Sequence, residues 1–231
     1  MGRRKPRGHL GYLSFGYGTP EFRIVALPES KEDIEQWMVD AMLRTHRAKD
    51  ADPYALVGTP VRNPEANFDF TLPTARGDEY LDLMEIVVFS EDSSSPGHEA
   101  GPLAYDPDAM AEAIVEMVLV KSQHYGRPRT PLHLLLYVTD WRFELLQPVD
   151  ELVALALASR PHIFRTVSYF GPCDAETGMY RRLFPLTSDN LAQYAAINTG
   201  VRSLILLADL RKGRLLGPGT MVFAISFKGR E

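Results

Sequence analysis

Residues 67–87 read NFDFTLPTARGDEYLDLMEIV, and the whole architecture hangs on how this stretch folds. Two apolar runs, 68–72 and 80–89, flank the segment PTARGDE. Proline, glycine and aspartate between two β-prone runs are turn chemistry, so the pattern predicts a β-hairpin. Acids interrupt both runs. Asp69 lies between Phe68 and Phe70, while Asp82 and Glu85 break up Leu81, Leu83, Met84, Ile86 and Val87. A carboxylate in so apolar a strand is costly unless it is paired, hydrogen-bonded or bound to a cation.

Strand side chains alternate between the two faces of a sheet. Asp82 therefore shares a face with Tyr80, Met84 and Ile86, and Glu85 shares the other with Leu81, Leu83 and Val87. Two acids three positions apart cannot both enter one site without a bulge. One is expected to be the functional group, with the other at a strand end or paired elsewhere. Asp69, on the preceding strand, can approach whichever acid faces it. Oxygen donors on adjacent strands form a nest suited to a hard divalent cation such as Mg²⁺.

Upstream of the hairpin, FRIVALP reads as a short strand and SKEDIEQWMVDAMLRTHRA as a helix. Ser30 is its expected N-cap, acids fill the first turn, and Arg44, His46 and Arg47 lie near its end. Ile34, Trp37, Met38, Ala41 and Met42 supply an apolar stripe at helical spacing. A proline-punctuated connection with a short element near 54–57 leads into the hairpin. Downstream, SEDSSSPGHEAGP reads as a polar loop. DPDAMAEAIVEMVLVKSQHYG is the clearest helix, capped by Asp106 or Asp108 and ended by Gly126.

TPLHLLLYVTD is a near-continuous apolar run, as in a strand covered on both faces. WRFEL reads as a continuation of the sheet after a bend, PVDELVALALASR as a further helix, and IFRTVSYFG as a further strand. A helix at 190–196 and strands in RSLILLAD and TMVFAISFK complete the expected elements. The order predicts one domain over 21–231, α/β or α+β, with a mixed central sheet flanked by helices. Residues 1–20 read as a flexible basic arm.

Lys121 stands in an apolar helical stripe with Ile114, Met117, Val118 and Tyr125. Either it snorkels, with its stem buried and its ammonium in water, or the ammonium reaches inward to the hairpin acids and offsets their repulsion.

Acids on two consecutive strands, a lysine on the following helix and then a strongly apolar strand resemble the PD-(D/E)xK, restriction-endonuclease-like nuclease superfamily. In that pattern the first acid matches Asp69, and acid-x-lysine on the next strand falls on Asp82-Leu83-Met84. Met84 stands in the lysine's place. Some branches carry the lysine on the next helix, where Lys121 stands. Glu35, with Asp40 behind it, is the nearest match to an acid that some members place on the first helix. Gln123 and Tyr125 are similar to a glutamine and tyrosine of some members, at a different spacing.

The resemblance implies a restriction-endonuclease-like core over about residues 30–145, with an extension of unknown role over 146–231. It further implies phosphodiester hydrolysis of nucleic acid with Mg²⁺ or Mn²⁺. Asp69 and Asp82 would be metal ligands, Glu85 a further one if a bulge turns it inward, and Lys121 and Glu35 would complete the catalytic set. If Met84 replaces the lysine outright, the expectation is instead a non-catalytic accessory or immunity-type protein that binds a protein partner.

Composition is consistent with either. The chain has 231 residues, 45% hydrophobic and 24% charged, enough for one sizeable core. A net charge of −5 gives no global argument for a polyanion partner, although a local basic groove is compatible with it. One cysteine excludes an internal disulfide, so a reducing cytoplasm is the expected compartment. No apolar run approaches the roughly 20 residues that span a bilayer, and the start MGRRKPRGH lacks the apolar segment of a signal peptide.

His98 and Glu99 read as solvated loop, His124 and His133 as structural, and Cys173 as inert. GYGTP and GPGT lack the strand–helix context of a phosphate loop. Trp141, Phe143, Tyr169 and Phe170 read as core aromatics, and no glycine-flanked serine suggests a hydrolase of another kind.

Overall fold

The structure is a computed structural model. It describes residues 10–14, 21–48, 52–63, 68–87, 103–126, 128–140, 143–146, 148–174, 176–187, 203–207 and 220–224. The hairpin forms with a tighter turn than its composition suggests. Strand β4 (Phe70–Thr74) runs through Pro73, and strand β5 begins at Gly77 and ends at Glu85. Only Ala75 and Arg76 lie between them. Gly77 has a φ of 103°, a conformation that glycine adopts without strain.

Around this hairpin the chain builds one α/β domain. Helix α1 (Lys31–Arg47) begins where expected, with the Ser30 hydroxyl accepting from the Asp33 amide at 3.0 Å. Its Ile34, Met38, Ala41 and Met42 are buried. Helix α2 (Pro107–His124) is capped by Asp106, whose carboxylate accepts from the amides of Asp108 and Ala109. Gly126, at φ 62°, follows its end. Strand β7 (Leu132–Tyr137) is buried at every position, as its unbroken apolar run requires. Each such fully buried aliphatic side chain contributes about 1.5–3 kcal/mol of transfer free energy.

The central sheet has six strands in the order β3 (Val61–Arg62), β4, β5, β7, β8 (Thr166–Pro172), β9 (Gly178–Phe184). It is mixed: β5, β7 and β8 run parallel, and antiparallel pairs close both sides. Helix α2 is the crossover between the parallel strands β5 and β7. Helices α1 and α2 cover opposite faces. Tyr54 touches Met42 of α1 and the ring of His133, whereas α2 reaches Asp82, the register partner of Leu134. Helix α3 (Val149–Ser159) packs beside α2.

Two smaller sheets share no hydrogen-bonded strand pair with the central one. One pairs β1 (Leu10–Ser14) with β2 (Glu21–Val25). The other joins β6 (Leu103–Tyr105), β10 (Ser203–Leu207) and β11 (Thr220–Ala224).

Several expectations meet a different outcome. Residues 10–14 of the expected N-terminal arm form β1, and the rest of that arm lies outside the described residues. The described residues of WRFEL, 143–145, do not continue the sheet, and the Phe143 amide bonds the Asp140 carbonyl at 3.0 Å. Strand β9 has no counterpart among the expected elements. It lies at the edge of the sheet, largely half-buried, and carries Arg181 and Arg182, so its apolar alternation is weak. Together β8 and β9 place part of the segment after residue 145 within the central sheet. The polar loop at 90–102 and the helix at 190–196 fall outside the described residues. Phe143, Tyr169 and Phe170 are buried, whereas Trp141 is not among the described residues.

His133 has a structural role. Its Nδ1 meets the Thr166 hydroxyl and its Nε2 meets Glu79, both at 2.7 Å. Burial holds the imidazole below its ordinary pKa despite the nearby carboxylate. A neutral ring therefore donates from Nε2 to Glu79 and accepts at Nδ1. Burial alone would raise Glu79, but hydrogen bonds from His133 and Arg76 outweigh it, and the carboxyl lies below its usual range. Arg165 adds a further contact at 3.4 Å. Glu79→Ala would leave these donors without their common acceptor. The expected loss is about 2–4 kcal/mol in urea unfolding, and a change below about 0.5 kcal/mol would dismiss the network.

Candidate active site

The centre of the site is an opening between β4 and β5. Phe70 pairs with Leu81 at the start of β4, and the chain bends away at Phe68 and Asp69. The Tyr80 amide points toward β7, bonding the Pro131 carbonyl at 2.9 Å. Alternation along β5 then turns the Leu83 amide and carbonyl toward the β4 side, where no backbone remains to receive them. Asp69 takes the amide: the Leu83 N–H donates to its Oδ2 at 2.7 Å. Lys121 takes the carbonyl, donating to Leu83 O at 3.0 Å.

Asp82, 2% exposed, points into the same opening. Its Oδ2 receives the Lys121 ammonium at 2.9 Å and the Tyr125 hydroxyl, and its Oδ1 lies 3.1 Å from the Leu83 amide. Lys121 and Tyr125 are four residues apart and so project from one side of α2. Lys121 thus does not snorkel: its ammonium is directed inward.

Burial raises the pKa of Asp82 to about 7, helped by a hydrogen bond with the Asp69 carboxyl and by its charge, while Lys121 opposes the shift. Tyr125 is raised well above the ordinary phenol value, first by burial and then by its bond to Asp82.

Glu35 lies near this group but is held by other partners. Lys31 Nζ is 3.2 Å and Arg62 3.1 Å from its carboxylate, and Arg62 also donates to the Glu32 carbonyl. Burial raises the Glu35 pKa, with Asp69's charge adding to it and the two cations opposing. Asp40 is engaged by Gln36 at 3.2 Å. Glu85 accepts from the Thr139 hydroxyl. The β5–β7 register runs unbroken through Glu85, so no bulge turns it toward Asp82. Gln123 is exposed, and His124 packs edge-on against Tyr125.

The structure therefore brings together Asp69, Asp82 and Lys121, with Glu35 within electrostatic reach of Asp69, and places Glu85 on the other side of its strand. One participant, the Leu83 main chain, carries no side-chain signature in the sequence, whereas Tyr125, similar to a tyrosine of some superfamily members, enters through its hydroxyl. As a donor set, two carboxylates and a main-chain carbonyl are hard oxygens of the kind Mg²⁺ takes alongside several waters. They fit such an ion in chemistry. Among the described residues, no three His, Cys, Asp or Glu side chains group as a metal cage.

No family model matches this chain. No curated protein matches it. Among solved structures it is similar to SfsA of Pyrococcus furiosus in complex with Ca²⁺, at 8% identity and a TM-score of 0.29 over 74% of this chain and 75% of that one. That degree of superposition is too low to mark a common fold, and nothing about this chain follows from it. Among the described residues, no helix is long and apolar enough to cross a membrane.

Proposed function

We propose that this chain is a Mg²⁺- or Mn²⁺-dependent nuclease whose site resembles the PD-(D/E)xK arrangement with its lysine displaced onto α2. The observation that carries this reading is the 2.9 Å contact between the Lys121 ammonium and Asp82 in the opening that also holds Asp69. Residues 39 positions apart in sequence have been folded into one charged cluster. Desolvating such a cluster is costly, which favours a use beyond structure.

In this reading Asp69, Asp82 and the Leu83 carbonyl hold the ion. An ion held there would supply Lewis-acid polarisation of the scissile phosphate and a more acidic water. Lys121 then orients the attacking water and screens the charge that develops on the phosphate. Tyr125 fixes the rotamer of Asp82 through its hydroxyl. Glu35 positions Lys31 and Arg62 beside the acids and is not itself a ligand.

The test is cleavage of plasmid and single-stranded DNA and of RNA in Mg²⁺ or Mn²⁺. Activity in the wild-type chain, lost in Asp82→Ala with the fold intact, supports the reading. No cleavage and no heat of Mn²⁺ binding in calorimetry would overturn it.

The second reading, a non-catalytic protein-binding chain, is favoured by Met84 at the motif lysine's position and by the net charge of −5. It predicts no metal affinity. Mn²⁺ binding that disappears in Asp69→Ala would reject it.

A further inference from the structure

Each of the three residues that meet in the opening brings an aromatic neighbour. Phe68 precedes Asp69, Tyr80 lies two positions before Asp82 on the same strand face, and Tyr125 lies one helical turn after Lys121. These three rings meet as well. Phe68 stacks on Tyr80 with centroids 4.8 Å apart and planes at 20°, and it meets Tyr125 at 5.0 Å and 45°. All three residues are half-buried and border the hydrophobic core, so the stack lies at the boundary between core and surface. The Tyr125 hydroxyl bonds Asp82, and the Lys121 ammonium stands 5.9 Å from the Tyr125 ring centre. An aromatic stack, an ammonium and a carboxylate pair thus adjoin one another.

We infer that the Phe68–Tyr80–Tyr125 stack receives a nucleobase, and that the substrate is an unpaired nucleotide strand. The inference rests on the nuclease reading and names its substrate class. A nucleotide carries its base and its phosphate on opposite sides of one sugar, so a base extending this stack sets a phosphate beside Lys121. Every base has a π-face, so the platform selects for unpaired bases without reading their sequence. Inside a duplex both faces of a base are already stacked, and presenting one requires unpairing. Filling ordinary core space would not require the ring that touches Phe68 also to hold Asp82.

The test uses a short single-stranded oligonucleotide containing 2-aminopurine and its duplex. Both are titrated with the full chain in Ca²⁺, a hard cation that takes the same kind of donors. The single strand is expected to bind about tenfold or more tightly than the duplex, with the fluorescence quenching of a stacked base. Phe68→Leu and Tyr80→Leu keep apolar bulk but lose the π-face, and each should weaken single-strand binding by about tenfold. Tyr80→Phe should retain wild-type binding and quenching, which separates stacking from packing, and thermal melting checks that all variants fold. Equal affinity for both strands, unchanged quenching in the leucine variants, or no binding of either strand would overturn the inference. Cleavage without single-strand preference would leave the nuclease reading standing alone. Stacking without cleavage in any metal would leave the platform and sink the nuclease.

Discussion

Lys121→Gln is expected to slow cleavage about a hundred- to a thousandfold while tightening Mn²⁺ binding about tenfold or more. The two effects have one cause. The ammonium donates to Asp82 Oδ2 at 2.9 Å and to Leu83 O at 3.0 Å, two of the oxygens assigned to the ion. In the metal-free chain it stands where a cation would stand. Unit charges this close, in the partly screened interior of a protein, interact by about 4 kcal/mol or less. A divalent ion must displace the ammonium or bind beside it, and a neutral glutamine removes that competition.

The gain in affinity is set low because a lysine stem can swing its charge aside. The loss in rate follows from removing a donor aimed at developing negative charge, which in other enzymes costs two to three decades. Calorimetry at about pH 8 keeps Asp82 in its ionised form during the titration. Affinity unchanged in Lys121→Gln would show that the ammonium does not occupy the ion's place. A weakened affinity would make Lys121 part of the ligand framework.

The second large effect concerns pH. Folded Asp82 has its pKa raised to about 7, against an ordinary value of 3.8. A carboxyl raised by folding contributes stability that is present in full below the ordinary value. That contribution is lost as pH rises through the folded value, because the folded chain must then give up a favourably held proton. In the metal-free protein, stability relative to Asp82→Asn should therefore fall by roughly 2–4 kcal/mol between about pH 5 and about pH 8. Asparagine retains hydrogen bonding to Asp69 without titrating, so contributions from other shifted groups such as Glu35 and His133 largely cancel in the comparison. Mn²⁺ should reverse the loss at the upper pH, since the ion takes the proton's place. A stability difference independent of pH would mean that folded Asp82 holds no extra proton.

Tyr125→Phe offers a smaller, related check: it frees Asp82 from one donor and leaves the ring in place.

Much of the framework was readable because it is local. Ser30 and Asp106 cap their helices through side chains two or three residues from the amides they satisfy. The six buried positions of β7 follow from an uninterrupted apolar run. The alternation of β5 by itself separates Asp82 from Glu85, and Thr139 is the partner that the displaced acid needs. Edge elements were harder. Strand β9 pairs with β8 across a short turn, but its two arginines mask the alternation, and the partner of Arg181, Asp150, is remote in sequence.

The order of helix, hairpin, helix and buried strand, and the face of β5 that carries Asp82, follow from periodicity and capping in the chain itself. Where β4 parts from β5 does not. That opening frees one amide and one carbonyl of Leu83, turns Asp69 into a substitute for a missing strand, and gives Lys121 a second acceptor. The choice between a lysine facing water and one facing inward lies between two solvation states of the same side chain. Helical spacing is identical in both, and only the packing of α2 over the hairpin decides it.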